Sequence, residues 1–144
     1  MEAHISIESI WEDGSLFEVR VNASNGLFSG QADCYTNRDK IAKFAESVEG
    51  FPVWIGQEVT FTTGKSDTSS FVSLGFKCVD GSGHVVVRVK VASIATYTNS
   101  DQEKSVSEFD IKVEASAIDA FVKAVKLLSK ESLGEVKAIL QGKT

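Results

Sequence analysis

The sequence is poor in the residues on which most metal, disulfide and nucleic-acid sites depend. Its 144 residues include two cysteines, two histidines and one proline. The 15 basic residues are outnumbered by 20 acidic ones, which gives a net charge of -5. A protein that neutralises phosphates needs the opposite balance, so general nucleic-acid binding is disfavoured.

Long apolar runs and a leader pattern are also missing. No run approaches the roughly 20 apolar residues that span a bilayer. The first residues, Met1–His4, lack the basic and then apolar order of a secretory signal. These features predict a cytoplasmic protein with no membrane contact. The 42% hydrophobic and 24% charged composition is typical of a globular domain, and we place a single domain at residues 1–144.

Alternation of apolar and polar residues predicts strands in most of the chain. In Phe17–Ala23 the apolar residues share one parity, which is typical of a strand with one wet face. Asn25-Gly26 predicts a tight hairpin turn and a third strand at about Leu27 to Tyr35. A second hairpin is predicted at Asp80–Gly83, between two valine-rich segments.

Three segments instead have helical spacing. Apolar residues at Ile41–Val48 predict a helix that Thr36 or Asn37 can cap. A second helix is predicted after a capping box at Ser116–Asp119. A last short helix is predicted from Ser132, with Val136, Ile139 and Leu140 on its buried side.

The predicted order β-β-β-α-β-β-β-β-α-α indicates an α+β fold. We expect a single bent antiparallel sheet of about seven strands packed against helices, with a roll or a partly closed barrel as the close variant. Val85, Val87 and Val89 should face the core, and Arg88 and Lys90 should face water.

Neither a metal motif nor a catalytic motif is present in the sequence. Cys78 alternates in step with the core-facing Leu74 and Phe76, whereas His84 alternates in step with the outward Arg88 and Lys90 on the next strand. They therefore face apart and predict no joint metal centre. Asp80 could orient His84 beside Ser82, but an aspartate that leads a turn usually binds its own backbone. We therefore expect no catalytic residues, no metal, no cofactor and no enzymatic activity.

The segment Gly50–Gly56 is the most informative irregular part of the chain, because it carries large apolar side chains on a predicted loop. Such a loop either covers the edge of the core, which is the favoured interpretation, or contacts a partner. For the second case, Phe51, Val53 and Trp54 are the first candidates for an interaction patch. Trp11 is a weaker candidate.

Four segments give the chain a family resemblance. They are Asn25–Gly30, Gly50–Pro52, Asp80–Val87 and Ala117–Phe121. In these segments the chain resembles small stand-alone bacterial proteins of uncharacterised function, some of which are regarded as immunity-type partners of toxins. The resemblance implies a fold and carries over no site residue.

Two functions follow as hypotheses. The first is a non-enzymatic protein-interaction module, such as an immunity-type inhibitor, whose acidic surface would suit a basic partner. The alternative is a small-molecule-binding domain with a pocket between the sheet and a helix, to which Tyr35, Arg20 or Arg88 would contribute. A homodimer also stays open, because a strand such as Ser105 to Val113 could be a sheet edge.

Overall fold

The computed structural model describes residues 2–14, 16–65, 69–96, 101–130 and 136–143. Within these residues the chain forms eight strands and two helices. Their order is β1 (His4–Asp13), β2 (Leu16–Ser24), β3 (Ser29–Asn37), α1 (Arg38–Val48), β4 (Glu58–Gly64), β5 (Phe71–Cys78), β6 (Val85–Thr96), β7 (Gln102–Val113), α2 (Ala115–Leu128) and β8 (Lys137–Gln141).

The first sheet has the strand order β3-β2-β1-β8, and all neighbouring strands are antiparallel. Alternate residues of its strands are apolar, and they form the buried inner face of the sheet. In β2 these residues are Phe17, Val19, Val21 and Ala23. On the outer face, Arg20 donates to both carboxylate oxygens of Asp33 on β3, at 2.9 and 3.1 Å. The alternation that the sequence predicts for this strand is confirmed.

The second sheet has the order β4-β5-β6-β7 and is also antiparallel throughout. Its buried residues on β6 include Val85, Val87 and Val89. Arg88 lies on the outer face, where its Nε donates to Asp110 Oδ1 of β7 at 2.9 Å. The predicted inward valines and outward cations are therefore confirmed.

The α+β class and the antiparallel pairing are confirmed, but the single sheet of about seven strands is not. The chain forms two four-stranded sheets, and among the described residues no strand of one sheet pairs with a strand of the other. The break falls at α1, where a helix and a loop replace a tight turn between β3 and β4. Alternation shows which face of a strand is buried, and it does not show where a sheet ends.

The prediction of a last short helix is wrong for the residues that the structure describes there. Residues 137–141 form β8, which pairs with β1, while residues 131–135 lie outside the described part of the chain. Ala138 and Leu140 are buried, and Ile139 is 41% exposed. The local spacing fits a helix, but pairing with the open edge of β1 completes the sheet and overrides it.

The two helices differ in how they begin. In α1 the predicted cap is confirmed, because Asn37 Oδ1 accepts from the Lys40 backbone N–H at 2.9 Å. In α2 the predicted capping box is wrong. The helix begins at Ala115 after Glu114, which makes no side-chain cap bond, and Ser116 already lies inside it.

Both sheets and both helices contribute to one continuous core. Phe44 of α1 stacks on Phe61 of β4, with ring centroids 4.4 Å apart. It also lies 5.9 Å from Phe76 of β5 and 6.1 Å from Phe121 of α2. Aromatic pairs of this kind add about 0.5–1.5 kcal/mol each beyond area burial. Phe44 thus joins the helices to the second sheet.

Strand β3 crosses the inner side of the second sheet at close range. At one end, Gly30 lies against Val91 and Ser107, and a Cβ at this position would overlap the Val91 Cγ2 methyl group. At the other end, the Thr63 hydroxyl of β4 donates to the Tyr35 carbonyl at 3.0 Å. The absence of a side chain at residue 30 lets the two sheets approach this closely.

Gly30→Ala should therefore destabilise the protein by about 1–3 kcal/mol, because the buried, β-branched Val91 has little freedom to move away. The matched control is Gly75→Ala on β5, where an added Cβ would have only ordinary contacts at 3.9 Å or more. Urea unfolding should show a loss for Gly30→Ala and a change within about 0.5 kcal/mol for Gly75→Ala. Equal effects would contradict the close sheet contact.

Candidate functional site

The loop between α1 and β4 is fixed to the core by its first aromatic residue. Gly50 has a φ of 73°, which ends α1 and turns the chain. Phe51 is 2% exposed and packs against Phe76, with ring centroids 6.2 Å apart. The Phe51–Pro52 peptide bond is cis. Phe51, which the sequence offers as an interaction residue, is thus part of the core.

The next three residues turn their side chains to solvent. Val53 is 71% exposed, Trp54 61% and Ile55 64%. Monomeric proteins rarely expose consecutive large apolar side chains without a function for them. Each interpretation of the loop therefore holds for a different part of it. Phe51 covers the edge of the core, whereas Val53, Trp54 and Ile55 are exposed.

Hydrogen bonds hold this exposed turn in place. Gln57 Oε1 accepts from the Val53 N–H at 2.7 Å, and the Gln57 N–H donates to the Trp54 carbonyl at 3.2 Å. The Gly56 N–H donates to the Cys78 carbonyl at 2.8 Å, and the Cys78 N–H donates to the Gln57 carbonyl at 3.0 Å. The turn is thereby attached to the end of β5.

The turn between β5 and β6 extends the same apolar surface. Val79 is 46% exposed and directly follows Cys78, to which the loop is bonded. The Ile55 Cδ1 atom lies 3.4 Å from the position of a Cβ at Gly81. We call the exposed side chains of Val53, Trp54, Ile55 and Val79 the loop patch.

Three ion pairs flank the loop patch. Glu49 Oε1 lies 2.6 Å from Lys126 Nζ, and Glu58 Oε1 lies 3.7 Å from Lys77 Nζ. In the neighbouring turn, Asp80 Oδ2 lies 2.6 Å from His84 Nδ1. The edge of the loop patch is therefore polar, and each of its three carboxylates has a basic partner.

Asp80 organises the β5–β6 turn. Its Oδ1 accepts from the Ser82 N–H at 2.9 Å and from the His84 N–H at 3.3 Å. The side-chain bond to His84, supported by these backbone donors, holds the pKa of the Asp80 carboxyl below its ordinary value. Among the described residues, the Ser82 hydroxyl makes no hydrogen bond to His84. The geometry is that of a stabilised turn.

One cavity, of about 450 Å³, is an open hollow on the outer face of the second sheet. It lies where Gly75 leaves a gap beside Arg88, and Arg88 is paired with Asp110. A second cavity, of about 300 Å³, lies between α2 and β8, so a pocket between a sheet and a helix stays a prediction. Tyr35 and Arg20 belong to the first sheet, so they do not converge with Arg88.

Trp11 lies apart from the loop patch. It packs edge-on against Tyr35, with ring centroids 6.0 Å apart, and the Tyr35 carbonyl binds Thr63 near the end of β4. The loop patch precedes the start of β4, at the far end of α1, an 11-residue helix that is about 16 Å long. Trp11 is thus a separate, half-exposed side chain.

Several exposed apolar residues are not predicted by the sequence patterns. Ile55 and Val79 belong to no predicted interaction patch, and Leu27 falls at the start of a predicted strand. Leu27 is 88% exposed in a four-residue turn, where Asn25 Oδ1 accepts from the Leu27 N–H at 3.0 Å. The ability of asparagine to bond the backbone two residues later could have indicated this longer turn.

Both cysteines are free and buried. Burial, with the nearby carboxylates of Asp33 and Glu18, raises the pKa of the Cys34 thiol to about 11. A thiol in this state is protonated at neutral pH and is a poor nucleophile or metal ligand. Within the described part of the chain, no three His, Cys, Asp or Glu side chains are grouped so that they could hold a metal ion.

The chain matches no protein-family model, no curated protein and no solved structure. None of the helices described has the length and apolar character needed to cross a bilayer.

The Asp80–His84 pair predicts an acid-dependent part of the stability. Because the folded pKa of Asp80 is below its ordinary value of 3.8, the folded state binds fewer protons than the unfolded state in this range. The stabilisation is complete above about pH 3.8 and is lost as the pH falls through the folded pKa. In Asp80→Asn, urea unfolding should depend less on pH in this window.

His84→Ala serves as the second variant for this prediction. It removes the largest cause of the lowered Asp80 pKa, so it should flatten the same part of the pH profile. If the free energy of unfolding depended on pH in the same way in the wild type and both variants, the coupling between Asp80 and His84 would be contradicted.

Proposed function

We propose that this chain is a non-enzymatic protein-interaction module that binds a partner protein through the loop patch. The observation that carries the proposal is the run of three consecutive apolar side chains, each more than 60% exposed and held outward by a hydrogen-bonded turn. Burying such side chains against a partner removes apolar surface from water at about 25 cal/mol per Å².

The shape of the loop patch favours protein binding. Tryptophan is among the residues that dominate binding energy at interfaces, and Trp54 lies at the middle of the exposed turn. The turn is bonded to β5 through Gly56 and Gln57, so little conformational freedom is lost on binding. The flanking ion pairs match the polar rim that surrounds an apolar interface centre.

The kind of partner follows from charge and from the sequence resemblance. The chain carries a net charge of -5, which favours association with a basic protein through electrostatic steering. The three carboxylates beside the loop patch are paired with basic side chains. The negative electrostatic field that attracts the partner therefore comes from the rest of the surface. We propose an immunity-type inhibitor in the cytoplasm as the specific form of this function.

Trp54→Ala should lower capture of the partner from a lysate of the source organism by at least about tenfold, because truncating an interface tryptophan typically costs 2 kcal/mol or more (~30-fold). Capture can be measured with immobilised protein and quantified by mass spectrometry. The stability of the variant should change by no more than about 0.5 kcal/mol, since Trp54 is a surface side chain.

Trp11→Ala is the matched control, because it removes the same side chain from a half-exposed position outside the loop patch. It should leave capture unchanged. The proposal would be contradicted if the wild type and Trp54→Ala captured the same amount of every protein. It would also be contradicted if no captured protein changed in amount with either variant. A small metabolite that raises the melting temperature equally in the wild type and Trp54→Ala would instead favour the ligand-binding alternative.

A further inference from the structure

Strand β7 is an edge of the second sheet, and its even-numbered residues direct their backbone away from β6. Two alternate carbonyls show this direction, because both accept hydrogen bonds from outside the sheet. The Asp110 carbonyl accepts from Asn25 Nδ2 at 3.2 Å, and the Lys112 carbonyl accepts from the Lys143 N–H at 2.7 Å. The C-terminal part of the β7 edge is thus occupied by the first sheet's own segments.

The part of the edge before Asp110 remains open. The outward N–H and C=O groups of Val106 and Glu108 have no hydrogen-bond partner in the part of the chain that the structure describes. An edge of this kind can pair with another strand. Natural proteins usually protect such edges, and here the protection stops at Asp110.

The outer face beside this open edge ends in an unfinished apolar row. The strand register places Phe71 of β5 opposite Ala92 of β6, and Ala92 opposite Val106 of β7. Ala92 is 5% exposed, whereas Val106 is 48% exposed, since no strand among residues 2–14, 16–65, 69–96, 101–130 and 136–143 pairs with β7 on that side. A strand added at β7 with an apolar residue opposite Val106 would continue this row.

Charges on the same face select the strand that fits. Lys104 and Glu108 lie two residues before and two residues after Val106, on the same face. If β7 pairs with a second β7 in the antiparallel direction, centred on Val106, each Lys104 lies opposite the Glu108 of the other copy. Registers centred on Lys104 or on Glu108 would place like charges opposite each other, which is destabilising. Registers centred on Ser105 or on Ser107 would place Val106 opposite a charged residue, Lys104 or Glu108, and interrupt the apolar row.

We propose that this chain forms a homodimer in which β7 pairs with β7 of a second copy about a two-fold axis at Val106. The ladder covers residues 104–108 and joins the two second sheets into one eight-stranded sheet. The apolar row then runs from Phe71 through both Val106 side chains to the Phe71 of the partner copy. Two Lys104–Glu108 pairs, equal by symmetry, flank its centre.

The β2–β3 turn fits this arrangement. It is bonded to β7 at Asp110, two residues after the last residue of the proposed ladder. Leu27 and Phe28, which are 88% and 60% exposed in the single chain, would lie at this end of the ladder, near β7 of the other copy. The dimer accounts for a second group of exposed apolar side chains, one that the loop patch does not include.

Charge reversal tests both the dimer and its register. Lys104→Glu and Glu108→Lys should each weaken dimerisation at least about tenfold in analytical ultracentrifugation, because two attractive pairs become repulsive. An equimolar mixture of the two variants should form a heterodimer, since both of its cross-strand pairs are again of opposite charge. The double variant Lys104→Glu/Glu108→Lys should dimerise like the wild type for the same reason.

Glu103→Lys is the control, because it makes the same charge change at an exposed neighbouring residue on the opposite face of β7. It should dimerise like the wild type. A wild type that stays monomeric at high micromolar concentration would overturn the proposal. So would single variants that dimerise normally, or a mixture of folded single variants that stays monomeric.

Hydrogen exchange on the wild type tests the ladder without any substitution. Protection of the Val106 and Glu108 amides should rise with protein concentration, while the already buried amides of β6 should not change. Protection of these two amides that is independent of concentration would overturn the pairing. Trp54→Ala should not affect dimerisation, so the outcome is independent of the proposed binding through the loop patch.

Discussion

The fold depends on the close crossing of β3 over the second sheet. Gly30 allows this approach because a side chain there would collide with the buried Val91. The crossing carries the β2–β3 turn past β7, where Asn25 can bond the Asp110 carbonyl. It also brings Tyr35 to Thr63 at the other side of the sheet. One missing side chain thus sets the relation between the two sheets and determines which part of the β7 edge is covered.

The two surfaces with exposed apolar residues lie at different ends of this arrangement. The loop patch follows α1 and is attached to the end of β5, whereas the open edge of β7 lies beside the β2–β3 turn. Each surface combines an apolar centre with charged residues around it. The proposed partner contact and the proposed dimer contact therefore use separate residues and do not overlap.

The sequence predicts local features well where one physical rule decides them. Alternation in β6 assigns Val85, Val87 and Val89 to the core because a half-buried strand has period two. Asn37 is predicted as a cap because its side chain replaces a missing backbone partner. The residues 137–141 are mispredicted because their state depends on the open edge of β1, which is more than a hundred residues away in the chain.

The loop patch shows the same limit. Composition identifies an apolar loop at Gly50–Gly56, but the burial of Phe51 and the exposure of Trp54 depend on Phe76 and Cys78, which belong to another strand. The contribution of Val79 depends on the loop lying beside the β5–β6 turn. Sequence reasoning thus finds the segment, and the tertiary contacts decide which of its side chains are available.

The pairing of β1 with β8 has a consequence for synthesis. While a ribosome is still making the chain, β1 has β2 on one side and no partner on the other, because Lys137–Gln141 emerge much later. Its open side adjoins the apolar face that carries Ile5 and Ile7. Contacts between such distant segments form slowly, and until they form the nascent chain exposes a strand that can associate with other chains. Chaperone protection of this segment would therefore matter until Lys137–Gln141 have been synthesised and have paired with β1.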